Sequence, residues 1–228
     1  PLSGREHQDP ATAGDPPRRP ARPTNRKVVV SMALDADQLV IPGTGHVYVG
    51  DANESFPADI TAAVSVSGST GYVEMGYTTE AGVGFSFGRV TKEIKSWQSG
   101  YPLRRLITDT PTSVSFSLLQ LTFASFRLAM GGGAFGSTGA DKYYYEPPDA
   151  DFVDERSIII EAEDGNYGYR WLFRRCIVSD TVDFNLMRTE PVAMPLKFDV
   201  LESGTPGQKP WAFQTNDPEL GQFALVGT

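Results

Sequence analysis

Alternation of apolar and polar residues runs through the second half of the chain. A period of two places the apolar side chains on one face of a strand and the polar ones on the other. Four predicted strands in succession, with no helix between them, predict a mainly β, antiparallel fold, a β-sandwich or partly open barrel, and not a parallel α/β sheet. The predicted strands are Ser157–Glu163, Tyr169–Val178 after a turn at Asp164-Gly165-Asn166, one carrying Val182, Phe184 and Leu186, and one from Val192 to Val200.

The first half adds one well-marked strand and the one helix that the sequence predicts. Ser113–Leu118 alternates serine with apolar residues. Thr122 can cap a short helix over about 122–130, and the three glycines that follow Met130 can end it. The predicted apolar stripe of this helix consists of Phe123, Phe126 and Met130. Shorter strand candidates are His46–Val49, Tyr72–Gly76 and Val83–Phe87, with a long, poorly packed loop over 50–71.

Residues 1–31 differ in composition from the rest of the chain. They contain six prolines and no aromatic residue, so they cannot bury enough surface to offset the entropy lost on ordering. We therefore expect a flexible or extended, basic arm over 1–31, followed by a single β-sandwich domain over 32–228.

The charge of the chain argues against a protein that grips nucleic acid. The 20 basic and 28 acidic residues give a net charge of −8, of which residues 1–31 carry +3 and residues 32–228 carry −11. Affinity for phosphates comes from cationic side chains, so this acidic body is a poor nucleic-acid clamp. It is compatible with a surface past which DNA moves without sticking.

Scarce residue types constrain metal, redox and membrane functions. One cysteine and two histidines exclude an internal disulfide framework, a cysteine-based zinc cluster and a multi-histidine metal site. No apolar run reaches the roughly 18 residues of a transmembrane helix, and no basic segment followed by an apolar stretch opens the chain. We therefore expect no cofactor, no membrane span and no signal peptide.

Two motifs that suggest chemistry have plainer interpretations. Residues 131–136 spell GxGxxG, but the predicted helix precedes the glycines and a loop follows, which is the reverse of the dinucleotide fingerprint. Cys176 lies inside a predicted strand, where cysteine is more often a small core residue than a nucleophile. We therefore expect neither a nucleotide cofactor site nor a thiol enzyme.

Two acidic clusters leave alternatives open. The spacing of the carboxylates in the first cluster does not match that of an EF-hand loop. The cluster is therefore either a calcium site of a different kind or a solvated loop. It consists of Asp149, Asp151, Asp154 and Glu155. Glu161 and Glu163 share one strand face, as a glycosidase pair would or as an exposed polar edge would. No other catalytic pattern supports the pair, so we expect no enzyme.

Several segments, in a fixed order, resemble those of a known family. The earlier ones are Met32–Asp35, Leu39–Gly43, Pro57–Asp59 and Gly76–Glu80. The later ones are Phe85–Arg89, Ser96–Ser99 with Leu103-Arg104, and the strand-to-helix passage Ser113–Gly133. Together they resemble the major tail proteins, or tail tube proteins, of long-tailed (siphovirus-type) phages that infect actinobacteria. The resemblance covers most of residues 32–200, so residues 1–31 are an extension relative to it.

The resemblance implies a structural function. Proteins of this family stack as hexameric rings into a tube through which the viral genome travels from capsid to host. Each protomer is a β-sandwich with one helix, and its inner sheet joins those of its neighbours around the lumen. The implied partners are further copies of the chain and the tail terminator, tape measure and distal tail proteins, while DNA passes without specific binding. The implied location is the virion tail, assembled in the host cytoplasm.

A negatively charged lumen follows as a hypothesis. Negative potential repels phosphates, so DNA would slide instead of adsorbing. The alternative is that the same carboxylates face outward and keep the tube soluble. Arg170 and Arg174 belong to the same strands and could line the same surface. The candidate lumen residues, opposite the apolar strand faces, are Glu161, Glu163, Asp183 and Asp199.

Two other functional classes share the strand pattern. A carbohydrate- or receptor-binding β-sandwich of a virion would use Trp171 or Tyr143-Tyr144-Tyr145 as a stacking platform. A hydrolase would depend on Glu161 and Glu163. In a tube, we expect the loop 50–71 and the arm 1–31 to contact the next ring, because extended polar segments can order on binding.

Overall fold

A computed structural model of the chain describes residues 39–66 and 71–221. These residues form twelve strands and two short helices. The elements before the first helix are β1 (Thr44–Asp51), β2 (Val73–Glu74), β3 (Thr78–Phe87), β4 (Val90–Ile94), β5 (Arg104–Asp109) and β6 (Thr112–Leu118). The others are α1 (Phe123–Ala129), β7 (Ala134–Gly139), β8 (Lys142–Glu146), β9 (Glu155–Asp164), β10 (Tyr167–Val178), β11 (Met194–Val200), β12 (Trp211–Thr215) and α2 (Pro218–Gly221). The predicted arm over 1–31 and its boundary with the body lie outside the described residues.

Eight of the strands form one sheet whose paired strands are antiparallel. Its order is β2-β1-β9-β10-β11-β6-β3, and β12 pairs with β10 on the edge that β11 also uses. Over residues 39–66 and 71–221 the sheet ends at β2 and β3 and does not close. The predicted mainly β, antiparallel class is therefore confirmed, with α2 in addition to the predicted helix. Within the ranges that the structure describes, no helix has the length and apolar character to cross a membrane.

The sheet curls over on itself. Phe85 of β3 and Trp171 of β10 lie three strands apart in the order, which in a flat sheet means a separation of about 14 Å. Their ring centroids are 4.9 Å apart. The two halves of the sheet therefore face each other as in a β-sandwich, and the main core between them also takes in α1. We call the side of each strand that faces this core the core face, and the opposite side the second face.

Most of the predicted strands are confirmed with their faces. On β6 the alternation puts Val114, Phe116 and Leu118 into the core, with the serines between them on the second face. On β11 the same alternation buries every second residue, and Phe198 stacks on Phe116 with ring centroids 5.4 Å apart. The β9–β10 pairing begins at the predicted turn, where Tyr167 lies opposite Asp164.

The third strand predicted in the second half is wrong. Residues 181–187 belong to no strand, although Val182 and Phe184 pack against the core and Asp183 between them is exposed. Leu186, predicted for the same apolar face, is also exposed. The alternation in this segment therefore reflects burial of one side of the chain. It does not reflect the backbone hydrogen bonds to a neighbouring strand that define a β-strand.

Helix α1 begins and ends as predicted. The Thr122 hydroxyl accepts the Ser125 backbone N–H at 3.1 Å, and the Ser125 hydroxyl accepts the Thr122 backbone N–H at 2.8 Å. This reciprocal capping box satisfies two N–H groups that the first turn leaves free. At the other end Gly131 and Gly132 have φ values of 70° and 118°, and their N–H groups donate to carbonyls of the last turn. Glycine adopts this left-handed backbone without strain, so the helix stops there.

The predicted apolar stripe of α1 is wrong in part. Met130 does pack against the core, but Phe123 is exposed and Phe126 is only partly buried. Instead, Phe123 lies 4.6 Å from the ring of Phe135, and Phe126 lies 5.0 Å from that of Tyr145, both in the β7–β8 hairpin. The prediction did not include this hairpin, which supplies the aromatic partners of both phenylalanines. The buried helical positions are Ser125, Leu128 and Ala129.

The loop after β1 is packed more firmly than predicted. Phe56, Val64 and the fully buried Tyr72 contact Ile159 and Leu172 on the second face. Burial raises the pKa of the Tyr72 phenol to about 12. This small second core covers part of the second face and leaves the remainder open.

Candidate assembly surface

The β4–β5 hairpin is small, yet in the isolated chain it exposes several large apolar side chains to solvent. Among the residues that the structure describes, its strands pair with each other and with no strand of the main sheet, and every residue of β5 is exposed. At its tip Trp97 is 99% exposed and Tyr101 is 83% exposed. A lone two-stranded hairpin is marginally stable in water, and apolar patches of this kind mark interaction sites. We call residues 90–109 the hairpin arm.

The two faces of the hairpin arm differ in charge. The register places Lys92 opposite Leu106 and Ile94 opposite Arg104, so these four side chains share one face. Neither cation has an ion-pair partner within the ranges that the structure describes. The opposite face carries Glu93, which accepts a hydrogen bond at 2.9 Å from a neighbouring arginine. We call the first face the basic face of the arm, because it carries two cations toward the tip and one carboxylate, that of Asp109 opposite Val90, at the base of the hairpin.

Sequence reasoning missed the hairpin arm, although a signal for it exists. Both strands are rich in aliphatic and β-branched residues, and they flank a tip that contains Ser99, Gly100 and Pro102. That arrangement is a hairpin signal. Neither strand alternates between apolar and polar residues, because neither has a buried face within the protomer. A search for alternation with a period of two therefore does not detect them.

The structure places the four predicted lumen carboxylates in different settings. Glu161 and Glu163 of β9 and Asp199 of β11 lie on the second face, opposite the core. Asp183 lies outside any strand and is exposed. The partners of Glu161 and Asp199 on β10 are seven residues apart in the chain, so these two carboxylates are separated by about 20 Å. The four do not form one cluster.

Glu161 is already paired inside the protomer. It accepts hydrogen bonds from Arg170, whose side chain is only 4% exposed, while that of Glu161 is 19% exposed. The guanidinium also donates to the backbone carbonyls of Asp59 at 2.7 Å and Ala62 at 3.0 Å, and so ties the loop after β1 to the sheet. Burial, with the charge of Glu161 as the next cause, raises the pKa of Tyr48 to about 12. Because Glu161 is paired with Arg170, the two side chains together carry no net charge, although the carboxylate still acts on the adjacent Tyr48.

Basic residues share the second face with the carboxylates. A β-bulge in β10 places Arg174 and Arg175 together on this face. Arg175 pairs with Glu155 at 2.5 Å, and its hydrogen bonds lower the pKa of that carboxyl. Among the described residues, Glu163 and Asp199 form no ion pair. The second face is thus mixed in sign, with these two carboxylates uncompensated.

The GxGxxG run serves helix termination and aromatic packing. A Cβ at Gly132 would lie 2.7 Å from the ring of Phe152, and one at Gly133 would lie 2.5 Å from the Tyr145 hydroxyl. Helix α1 precedes the run, and strand β7 begins within it at Ala134, where the prediction had a loop. Because no helix N-terminus follows these glycines, they lack the arrangement that binds a pyrophosphate.

The candidate glycosidase pair and the candidate stacking residue Trp171 lack the settings that those functions need, whereas Tyr143 and Tyr144 are exposed. Arg170 holds Glu161, and Glu163 is exposed, so neither lies in the enclosed apolar pocket that keeps a catalytic acid protonated. Trp171 packs between Phe85 and Phe213, with ring centroids 4.9 Å and 5.0 Å away. Of the tyrosine run 143–145, the last packs against α1 and the first two are exposed.

Cys176 is a buried core residue, as predicted. Burial raises the pKa of its thiol from 9.0 to about 12. We expect it to react with a thiol reagent such as DTNB at pH 8 about a thousandfold more slowly in the folded protein than after unfolding, because the thiolate is the nucleophile. The same shift lowers stability as the pH rises above about 9, since the unfolded thiol ionises first. Rapid labelling of the folded protein would contradict this burial.

An acidic segment begins at Glu146, the last residue of β8. Residues 146–153 carry Glu146, Asp149 and Asp151, no basic residue, and the exposed apolar side chains Phe152 and Val153. None of the three carboxylates has an ion-pair partner in the part of the chain that the structure covers. Within that part no three His, Cys, Asp or Glu side chains converge to hold a metal ion, so the calcium alternative gains no support. We call residues 146–153 the acidic loop.

One comparison with known proteins covers most of the chain. A family model described as phage tail tube protein matches residues 32–224. The match includes all twelve strands and both helices. A search of curated proteins finds no match.

Proposed function

The chain belongs to the phage tail tube protein family, and from that membership we propose that it stacks as hexameric rings into the tail tube of a long-tailed, siphovirus-type phage of actinobacteria. As a member of this family it is a structural component of the phage tail. In our proposal the tube conducts the genome into the host, and its ends meet the tail terminator, tape measure and distal tail proteins. We place its assembly in the host cytoplasm.

The hairpin arm is the observation that carries the proposal. A lone protomer leaves Trp97, Tyr101 and Leu103 in water. Removing such surface from water against a neighbour is favourable by about 25 cal/mol per Å². A subunit that repeats along a tube offers every arm the same neighbouring surface, which accounts for an exposed apolar element on each copy.

The open edges of the sheet support closure into rings. In the described residues β3 pairs with β6 on one side, and its other side, along Thr78–Phe87, ends the sheet. Uncovered strand edges recruit further strands, and a head-to-tail contact that closes on itself produces a ring. We propose lateral contacts through the ends of the sheet and axial contacts through the hairpin arm. The loop 50–71 and the arm 1–31 remain proposed contributors to the axial contacts.

We propose that the second face lines the lumen. Glu163, Asp183 and Asp199 would supply the negative potential that keeps DNA from adsorbing. Glu161 adds little net charge, because Arg170 compensates it. The alternative places the same carboxylates on the outer wall, where they favour solubility. A tube map with these side chains outside would contradict the lumen assignment.

Negative-stain microscopy of the purified chain tests the polymerisation proposal. We expect rings or tubes with sixfold end views over a range of protein concentrations. The runner-up, a carbohydrate- or receptor-binding module of a virion, predicts monomers or trimers that give clear hits on a glycan array. Such hits from a protein that forms no rings would overturn the tube proposal.

A further inference from the structure

We propose that the basic face of the hairpin arm docks on the acidic loop of a neighbouring copy. The inference depends on the proposed polymerisation and names the contact that drives it. Both elements are exposed in the protomer, and within the described residues neither finds an ion-pair partner of opposite charge. The basic face of one copy can therefore supply the counter-charge for the acidic loop of a second copy, and the acidic loop can do the same for the basic face.

The two surfaces match in charge and in apolar content. The arm presents two cations and two aliphatic side chains, Lys92, Arg104, Ile94 and Leu106. The loop presents an exposed acidic pair and an exposed apolar pair, Asp149, Asp151, Phe152 and Val153. Complementary charges of this kind set the register and partner of an interface, while the apolar side chains supply the burial.

A second copy fits the arm better than nucleic acid does. The basic face holds only two cations, Lys92 and Arg104, beside aliphatic side chains that a phosphate backbone would leave in water. The body that carries the arm is acidic, with −11 over residues 32–228, and so repels DNA. The same chain, by contrast, provides the complementary loop in every copy.

Another exposed segment is a weaker candidate for the surface on which the arm docks. Residues 180–190 combine Asp183 and Glu190 with the exposed Leu186 and Met187, but they also contain Arg188. The acidic loop contains no cation, so its charge complementarity to the basic face is greater. The segment 180–190 therefore serves as a matched control for position.

Two charge-reversal variants test the contact. One carries Lys92→Glu with Arg104→Glu, and the other carries Asp149→Lys with Asp151→Lys. Each variant alone sets like charges against each other, so we expect its critical concentration for tube formation to rise at least about tenfold. The measurement is sedimentation of assembled material across a protein dilution series, with negative-stain images of each pellet.

Mixing the two variants shows whether the contact joins different copies. In an equimolar mixture each reversed arm can meet a reversed loop, and each unchanged arm can meet an unchanged loop. We expect the mixture to assemble within about threefold of the wild-type critical concentration. A chain that carries all four reversals should recover in the same way.

Two controls separate this contact from a general effect of charge. Lys95→Glu with Arg105→Glu makes the same charge change on the opposite face of the arm, and we expect less than about a threefold effect. Asp183→Lys with Glu190→Lys, mixed with the reversed arm, should give no rescue. Thermal melts should show all variants folded, because the substituted side chains are on the surface.

Several outcomes would overturn the docking assignment while leaving the tube intact. These are wild-type tubes unaffected by reversing the arm, no rescue in the mixture, or rescue by the Asp183 and Glu190 reversals instead. A critical concentration that stays constant between 50 and 500 mM salt would also overturn it, since exposed charge pairs are screened over about 10 Å at 0.1 M. Failure of the wild-type chain to form any tube would instead contradict the proposed function.

Discussion

Replacing Trp97 with alanine is expected to suppress tube formation while leaving the protomer folded. The indole is 99% exposed, so its removal takes nothing from the core and should change the free energy of unfolding by less than about 0.5 kcal/mol. Buried tryptophans at the centre of interfaces contribute about 2 kcal/mol or more to association. A loss of that size raises the critical concentration roughly thirtyfold.

Tyr77→Ala is the matched control for this substitution. Tyr77 is also a largely exposed aromatic residue, at 73%, but it lies outside the hairpin arm. Its replacement should leave the critical concentration within about threefold of wild type, because scattered surface apolar residues need no partner. Equal effects of the two variants, or tubes from Trp97→Ala at the wild-type concentration, would show that the arm does not drive assembly.

Replacing Arg170 with methionine is expected to lower the free energy of unfolding by about 3 kcal/mol. The substitution keeps the apolar stem, but it leaves Glu161 without its counter-charge and removes the donors to the Asp59 and Ala62 carbonyls. A domain of this size should then melt about 6–12 °C lower in calorimetry or circular dichroism. We also expect faster proteolysis within the loop after β1, since the guanidinium ties it to the sheet.

Two further variants isolate the role of the buried pair. Lys197→Met removes a cation from an exposed position on the second face, and its melting temperature should change by no more than about 2 °C. Adding Glu161→Leu to Arg170→Met removes the orphaned charge and should recover part of the lost stability. A double variant less stable than Arg170→Met alone would contradict this explanation.

Strands buried on one face could be predicted because burial and hydrogen bonding coincide in them. In Ser113–Leu118 the same alternation that places Val114 and Phe116 in the core also matches the pairing of β6 with β11. The helix caps were predictable for a similar reason, since Thr122 and the glycines after Met130 act through contacts a few residues away. Local chemistry and overall fold agree at these positions.

The errors arise where a local pattern has a distant cause. Val182 and Phe184 alternate because the core takes them up, yet no strand pairs with their backbone. Phe123 and Phe126 form a helical stripe that contacts the β7–β8 hairpin instead of the sheet, and Phe123 is still exposed. The hairpin arm has no alternation at all, because the surface that we propose to bury it belongs to another copy.

The candidate site was less predictable than the fold, with one exception. Net charge suggested a set of lumen carboxylates, but it could not distinguish Glu161, which is paired, from Glu163, which has no ion-pair partner among the described residues. The predicted turn at 164–166 does contain this information, because a tight hairpin there places Glu161 directly opposite Arg170. The carboxylates of the acidic loop could be identified from the sequence. That the loop is exposed next to Phe152 could not be.

Electron cryomicroscopy of assemblies formed by the purified 228-residue chain tests the central claim most directly. We predict closed sixfold rings that stack around a continuous hollow lumen, with each hairpin arm buried against a neighbouring copy. A filament without a lumen, or rings in which every hairpin arm points into solvent, would contradict the proposal.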